Sequence, residues 1–149
     1  MIFPPVQLLT SKVPEKLSLL IQLLKNRKRD FELFARNTKD KNLQVTILGL
    51  AQDANQSAVE LIAQVQTLGR MDIVNAAFTR HIKQSPSGNE GIFNACESCL
   101  QSLLSAYQSI VNEHSLSEHL QRLVRLQLKR VESGYVTFKL LHTHSLDRG

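Results

Sequence analysis

The chain has little of what breaks a helix. Its 149 residues include 6 glycines and 4 prolines, so long stretches escape the penalties of about 1 and about 3 kcal/mol that these residues impose inside a helix. Cysteine is scarce as well. Cys96 and Cys99 are the two present and lie three residues apart, which excludes the framework of a disulfide-stapled secreted domain and fits a reducing compartment. No apolar run approaches the roughly 20 residues that span a bilayer. The start, MIFPPVQLL, has no basic region ahead of an apolar stretch and no small-residue cleavage site, so a cytoplasmic location is expected. There is no internal repeat or low-complexity tract.

What remains is a helix-forming composition, 42% apolar and 21% charged, of a length suited to one domain with one core. The formal net charge of +5 and pI near 9.5 draw anionic partners in general but also serve solubility. The basic residues gather in two stretches, Lys25, Arg27, Lys28 and Arg29, then Arg122, Arg125, Lys129 and Arg130. Neither has the interleaved aromatic side chains on which bases stack, so solvated faces are expected and nucleic-acid binding is disfavoured.

At 100° per residue, four segments put their apolar side chains on one face. Residues 14–38 align Leu17, Leu20, Leu24, Phe31, Phe34 and Ala35, with Pro14 suited to a first helical position. Residues 42–68 align Ile47, Leu50, Ala51, Ala54, Ala58, Leu61, Val65 and Leu68, and Gly69 supplies the stop. Residues 89–113 align Phe93, Cys96, Leu100, Leu103, Leu104, Tyr107 and Val111. In residues 116–142 a capping box of Ser115 and Glu118 precedes a stripe of Leu120, Val124, Leu128, Val131, Tyr135, Phe138 and Leu141.

Helices of about 25 residues, or roughly 37 Å, can lie side by side along their whole length. The first and third connections are short and force antiparallel neighbours, while the long second one carries the chain back along the bundle, so that helices two and three run parallel. Within that crossover, residues 72–83 form a short helix with Ile73, Val74, Ala77, Phe78 and Ile82 on one face, broken by SPSGN. Residues 1–13, with Pro4 and Pro5 among apolar side chains, read as an N-terminal extension that packs on the bundle or on a second copy. The expected fold class is all-α, a single four-helix bundle over residues 1–149 with a short helix in the long crossover.

The short, long, short order, the helix-two ending ELIAQVQTLG at Glu60 to Gly69, Cys96 and Glu97 followed by Ala106 and Tyr107, and LVRLQL at Leu123 to Leu128 together resemble a bacterial four-helix-bundle branch of the ferritin-like superfamily. That resemblance implies a carboxylate-bridged di-iron site, with one Glu on each of two helices and a Glu-x-x-His on each of the other two. The ligand positions here are degenerate. Helix two offers Ala54, Ser57 and Ala58 inward, with Asp53 to one side; helix four has Glu132 with Tyr135 where a histidine is expected; helix one offers Glu32 at an edge. Glu97 reads as the single inward carboxylate, which is too few oxygens for two hard cations.

A carboxylate on an apolar face needs partners, and Arg27, Gln127 and Tyr135 are the candidates for an interior polar cluster around Glu97 that fixes helix register. The Cys96-x-x-Cys99 pair lies inside a helix rather than at an exposed N-terminus, so core packing is expected over redox or zinc chemistry. His114 and His142 project to inner faces near helix ends. Ser57, Gly134 and Ala54 leave room near the middle for a small apolar ligand. The expectation is a non-enzymatic bundle with no catalytic residue and no cofactor, acting through protein-protein contacts or self-association as a homo-oligomer, first of all a dimer, with the apolar N-terminal segment and the crossover helix as the contact surfaces. The alternative is a metal-binding protein of di-iron type with a reduced ligand set, holding iron or another divalent metal through Glu32, Asp53, Glu97 and Glu132.

Overall fold

The computed structural model describes residues 4–69, 86 and 88–147, with side chains from 13 to 69, at 86 and from 88 to 145. The described residues form four α-helices and no strand: α1 (Pro4–Asn37), α2 (Lys41–Thr67), α3 (Gly88–Ile110) and α4 (Glu118–Asp147). None of them is long and apolar enough to cross a membrane. The expected crossover helix at 72–83 lies outside the described residues, as do the side chains of residues 1–12 of the expected extension.

Four helices appear where four were expected, but their lengths are 34, 27, 23 and 30 residues rather than nearly equal. The largest difference is at the start. Residues 4–13, read as an extension, belong to α1, and Pro14 lies inside that helix instead of opening it. Its missing N–H leaves the carbonyl four residues earlier without its usual helical donor. The third helix stops at Ile110, short of residue 113, and the fourth runs on to Asp147, past residue 142.

The ends are set by local hydrogen bonding. Asp40 caps α2, its carboxylate accepting from the Leu43 N–H at 3.1 Å. The Thr38 hydroxyl ties this turn to α3, accepting from the Asp40 N–H and donating to Asn89 Oδ1, each at 3.2 Å. Gly69 ends α2 with φ +72°, the left-handed conformation that glycine adopts without penalty. The cap of α4 is Ser117, whose hydroxyl accepts from the Leu120 N–H at 3.3 Å. The expected capping box of Ser115 and Glu118 does not form; Glu118 pairs along the helix with Arg122 at 2.6 Å.

Each helix packs against two others: α1 on α2 and α3, α4 on α2 and α3. Lys16, early in α1, donates to the Ser109 carbonyl at 3.0 Å and pairs with Glu113 beyond the end of α3, while Thr38 meets Asn89 at the other end. These two helices therefore run antiparallel. Leu50 lies against Gly134 and Glu60 against Gln127, so α2 and α4 do as well. With short turns joining α1 to α2 and α3 to α4, α2 and α3 run in the same direction on one diagonal of the bundle.

The core is the inner face of all four helices. Phe31, Phe34, Leu61, Ile92, Phe93, Val124 and Phe138 are buried at 1% exposure or less. The sequence faces are reproduced for α1, α2 and α3, apart from Leu68, which is exposed, and Leu104, half-buried. In α4 the stripe turns: Leu128, Val131, Tyr135 and Leu141 are half-buried, and Gln127 is fully buried.

Candidate functional site

The buried Gln127 marks the polar centre of the molecule, at the seam of α2 and α4. Its amide oxygen accepts from the Tyr107 hydroxyl at 2.7 Å, and its amide nitrogen donates to the Ser57 carbonyl at 3.1 Å and to Glu60 Oε1 at 3.0 Å. One helical turn along, Arg130 Nη1 donates to Ser57 Oγ at 2.9 Å and to Glu60 Oε1 at 3.2 Å. The Tyr107 hydroxyl, the Gln127 amide nitrogen and Arg130 Nη1 thus each meet an acceptor, the condition on which a buried polar network stabilises rather than costs.

The ionisation states follow from these contacts. Burial pushes the Tyr107 hydroxyl far above its ordinary value, so it stays a donor. At Glu60 burial pushes upward, but hydrogen bonds from Arg130, Gln127 and Gln56 outweigh it and hold the carboxyl below its usual range. Asp53 stands at the edge, where burial raises its pKa and the charge of Arg130 only partly offsets that.

Asp53, Ser57 and Arg130, with Leu50, Ala54 and Val131, line an internal cavity of about 20 Å³. That is room for a single water, far from the roughly 150 Å³ in which a small apolar molecule settles. The interior space beside Ser57 and Ala54 is thus small, walled by Leu24, Phe31, Leu100 and Leu103 as well as by the polar groups. Gly134 faces outward, into a groove of about 500 Å³ between α2 and α4, where an added Cβ would stand 3.0 Å from the Leu50 side chain.

Of the expected interior cluster of Arg27, Glu97, Gln127 and Tyr135, the structure joins one pair. Glu97 does not face the core. It lies on the α3–α4 seam, its side chain 23% exposed, accepting from the Tyr135 hydroxyl at 3.0 Å, Lys139 at 3.2 Å and Gln101 at 3.4 Å. The Tyr135 hydrogen bond, with Lys139 behind it, lowers its pKa. The wheel position between Phe93 and Leu100 is an edge, and the long Tyr135 and Lys139 side chains of α4 reach it from outside. Gln127 belongs to the network above.

Arg27 pairs with Asp30 of its own helix at 2.7 Å and approaches Cys99 Sγ at 3.5 Å; Asp30 also accepts from that thiol at 3.8 Å. Asp30 is 9% exposed, and the Arg27 Nε atom is buried without a hydrogen-bond partner among the described residues. Cys96 and Cys99 are fully buried and no disulfide joins them. Burial, with Cys99 and Asp30 beside it, drives the Cys96 thiol well above its ordinary pKa, the reverse of what thiolate chemistry requires.

The four candidate metal ligands are apart. Glu32 pairs with Lys28 at 3.6 Å on the outer side of α1, Asp53 faces Arg130, Glu97 is held by Tyr135 and Lys139, and Glu132 is exposed. Among the described residues no three His, Cys, Asp or Glu side chains gather as a metal ion requires. His114 is exposed rather than inward, while His142 stacks on Phe93 with ring centroids 4.2 Å apart and pairs with Glu90.

Sequence reasoning missed Asp30, Ser57's pairing with Arg130, and Glu60. The available signals were the i, i+3 spacing of Arg27 with Asp30 and the position of Arg130 one turn from Gln127. Four members of the basic stretches, Arg27, Lys28, Arg122 and Arg130, have acidic partners, and of these Arg27 and Arg130 are the more buried. No family model matches the chain, and no curated protein matches it either.

Proposed function

We propose that the chain is a ferritin-like bundle without metal chemistry that works in the cytoplasm by protein-protein contact, with a second copy of itself as first partner. The short connections at 38–40 and 111–117 and the parallel course of α2 and α3 support the ferritin-like organisation. The interior polar groups support a structural centre, since they bond to one another and thereby fix helix register.

The observation that carries the contact role is on the outside. Val45, Val59, Leu126, Val136 and Leu140 stand more than half exposed, at 69%, 57%, 56%, 59% and 58%. Single exposed apolar residues are ordinary, but these fall on the outer faces of two helices, Val45 and Val59 on α2 and Leu126, Val136 and Leu140 on α4, and exposed apolar patches mark interaction surfaces. The test is elemental analysis of protein purified without chelators, wild type and Glu97→Ala. Metal far below one ion per chain in both is expected; stoichiometric metal in the wild type that is lost in the variant would overturn the proposal in favour of the di-iron type.

A further inference from the structure

The outer face of α2 is unlike an ordinary solvent face. Its acidic side chains, Asp53 and Glu60, both turn toward Arg130 on α4, so from Asn42 to Leu68 the outward side carries no charge. Surface helices normally present charged residues there, whereas interface cores are depleted of them. What α2 presents instead is a second stripe, Val45, Leu48, Gln52, Asn55, Val59 and Ile62, at alternating spacings of three and four residues. That is the heptad spacing by which one helix packs on another. Val45, Leu48 and Val59 are 69%, 41% and 57% exposed, Gln52 and Asn55 are exposed, and Ile62 is half-buried.

We infer that this face is a self-complementary dimer contact, on which α2 of a second copy docks antiparallel about a two-fold axis between residues 53 and 54. The inference rests on the contact role proposed above and names its surface. In that register Val45 meets the partner's Ile62, Leu48 meets the partner's Val59, and Gln52 meets the partner's Asn55, each pair occurring twice by symmetry. Apolar side chains cover apolar ones at both ends, and the two amides at the centre satisfy each other. Slipping the register by one heptad sets amides against apolar side chains, so the central pair fixes the alignment as buried polar layers do.

Two further observations agree with this. Gly49 lies mid-helix, where glycine costs about 0.5–1 kcal/mol relative to alanine, yet no atom lies within 4 Å of the position its Cβ would take. Packing within the chain therefore does not require it, and on the α4 flank of the stripe it leaves space for a side chain of the partner. In addition, α2 forms a ridge between surface grooves of about 490 Å³ on the α1 side and about 500 Å³ on the α4 side, which receive the partner's flanking side chains.

The apolar residues of the stripe expose on the order of 300 Å² per copy, the size at which a patch marks a contact. The exposed amides Gln52 and Asn55 and the groove rims add to it, toward the roughly 600–800 Å² per partner that a small specific dimer needs. The outer face of α4 also exposes Leu126, Val136 and Leu140, but it interleaves them with the charged Glu118, Arg122, Arg125, Lys129 and Glu132, which the core of an interface excludes.

The experiment is light scattering coupled to size exclusion on wild type, Val59→Glu, Asn55→Lys and Leu126→Glu, with circular dichroism to verify the fold. The expected masses are twice the 16.8 kDa of one chain for wild type and Leu126→Glu, and that of one chain for Val59→Glu and Asn55→Lys with helicity unchanged. Both substituted residues are exposed, so neither change removes core packing. A dimer that survives in Val59→Glu and Asn55→Lys overturns the α2 contact while leaving self-association standing. A wild type with the mass of a single chain at every concentration overturns both.

Discussion

Replacing Gln127 by leucine tests the polar centre at its most connected residue. The substitution nearly conserves volume, so little is lost in packing. It removes the acceptor of the Tyr107 hydroxyl at 2.7 Å and the donor to the Ser57 carbonyl and Glu60. Tyr107 is fully buried, and a buried hydroxyl left without an acceptor costs about 1–3 kcal/mol, while each ordinary hydrogen bond lost costs about 1. Partial relief is at hand, because the Ser57 hydroxyl lies close enough to Tyr107 to act on it and Glu60 keeps Gln56 and Arg130. The net expectation is a loss of about 2 kcal/mol, or roughly 4–8 °C in Tm for a chain of this size. Thermal and urea unfolding at one protein concentration measures it. The double variant Tyr107→Phe/Gln127→Leu removes the stranded hydroxyl and should recover about 1 kcal/mol. A Gln127→Leu protein as stable as wild type, or a double variant no better than the single, would refute the reasoning.

Three further outcomes are expected. Asp53→Asn should raise Tm at pH 7 and leave it unchanged near about pH 3: burial raises the folded-state pKa of Asp53, so its charged form burdens the fold above that value and the burden vanishes once both states are protonated. Tyr135→Phe should move the Glu97 pKa upward toward 4.5 in an NMR titration, since the tyrosine hydrogen bond is the largest cause of its depression; the small stability Glu97 contributes is present above its ordinary pKa and fades as pH falls through the depressed one. Gly49→Ala, made in the monomeric Val59→Glu background, should stabilise the fold by about 0.5–1 kcal/mol in urea, because the added Cβ meets nothing, yet it should weaken the dimer in the wild-type background.

The helices and their inner faces were legible because the 3.6-residue period survives in sequence wherever one face is buried. The start of α1 was not, since Pro4, Pro5 and Pro14 read as punctuation although a proline inside a long helix can be tolerated. Glu97 was misplaced for a related reason. A helical projection gives an angle, and whether that angle faces the core or a seam depends on which neighbour flanks it and how far its side chains reach. The polar centre was half legible: Gln127 projects inward, but its bonding to Tyr107, Ser57 and Glu60 needs three helices in place. The outer stripe of α2 was present in the spacing from Val45 to Ile62 all along, overshadowed by the stronger inner stripe of the same helix.

The most direct test of the contact uses two single-cysteine substitutions at exposed positions, Leu48→Cys and Val59→Cys, in a background where Cys96 and Cys99 are buried. In the antiparallel register residue 48 faces the partner's residue 59, whereas 48 lies eleven residues, or roughly 16 Å along the axis, from its own copy. A short thiol cross-linker should therefore join an equimolar mixture of the two variants into a covalent dimer and leave each variant alone almost entirely uncoupled. Equal coupling in the mixture and in either variant alone, or none in any, would contradict the account.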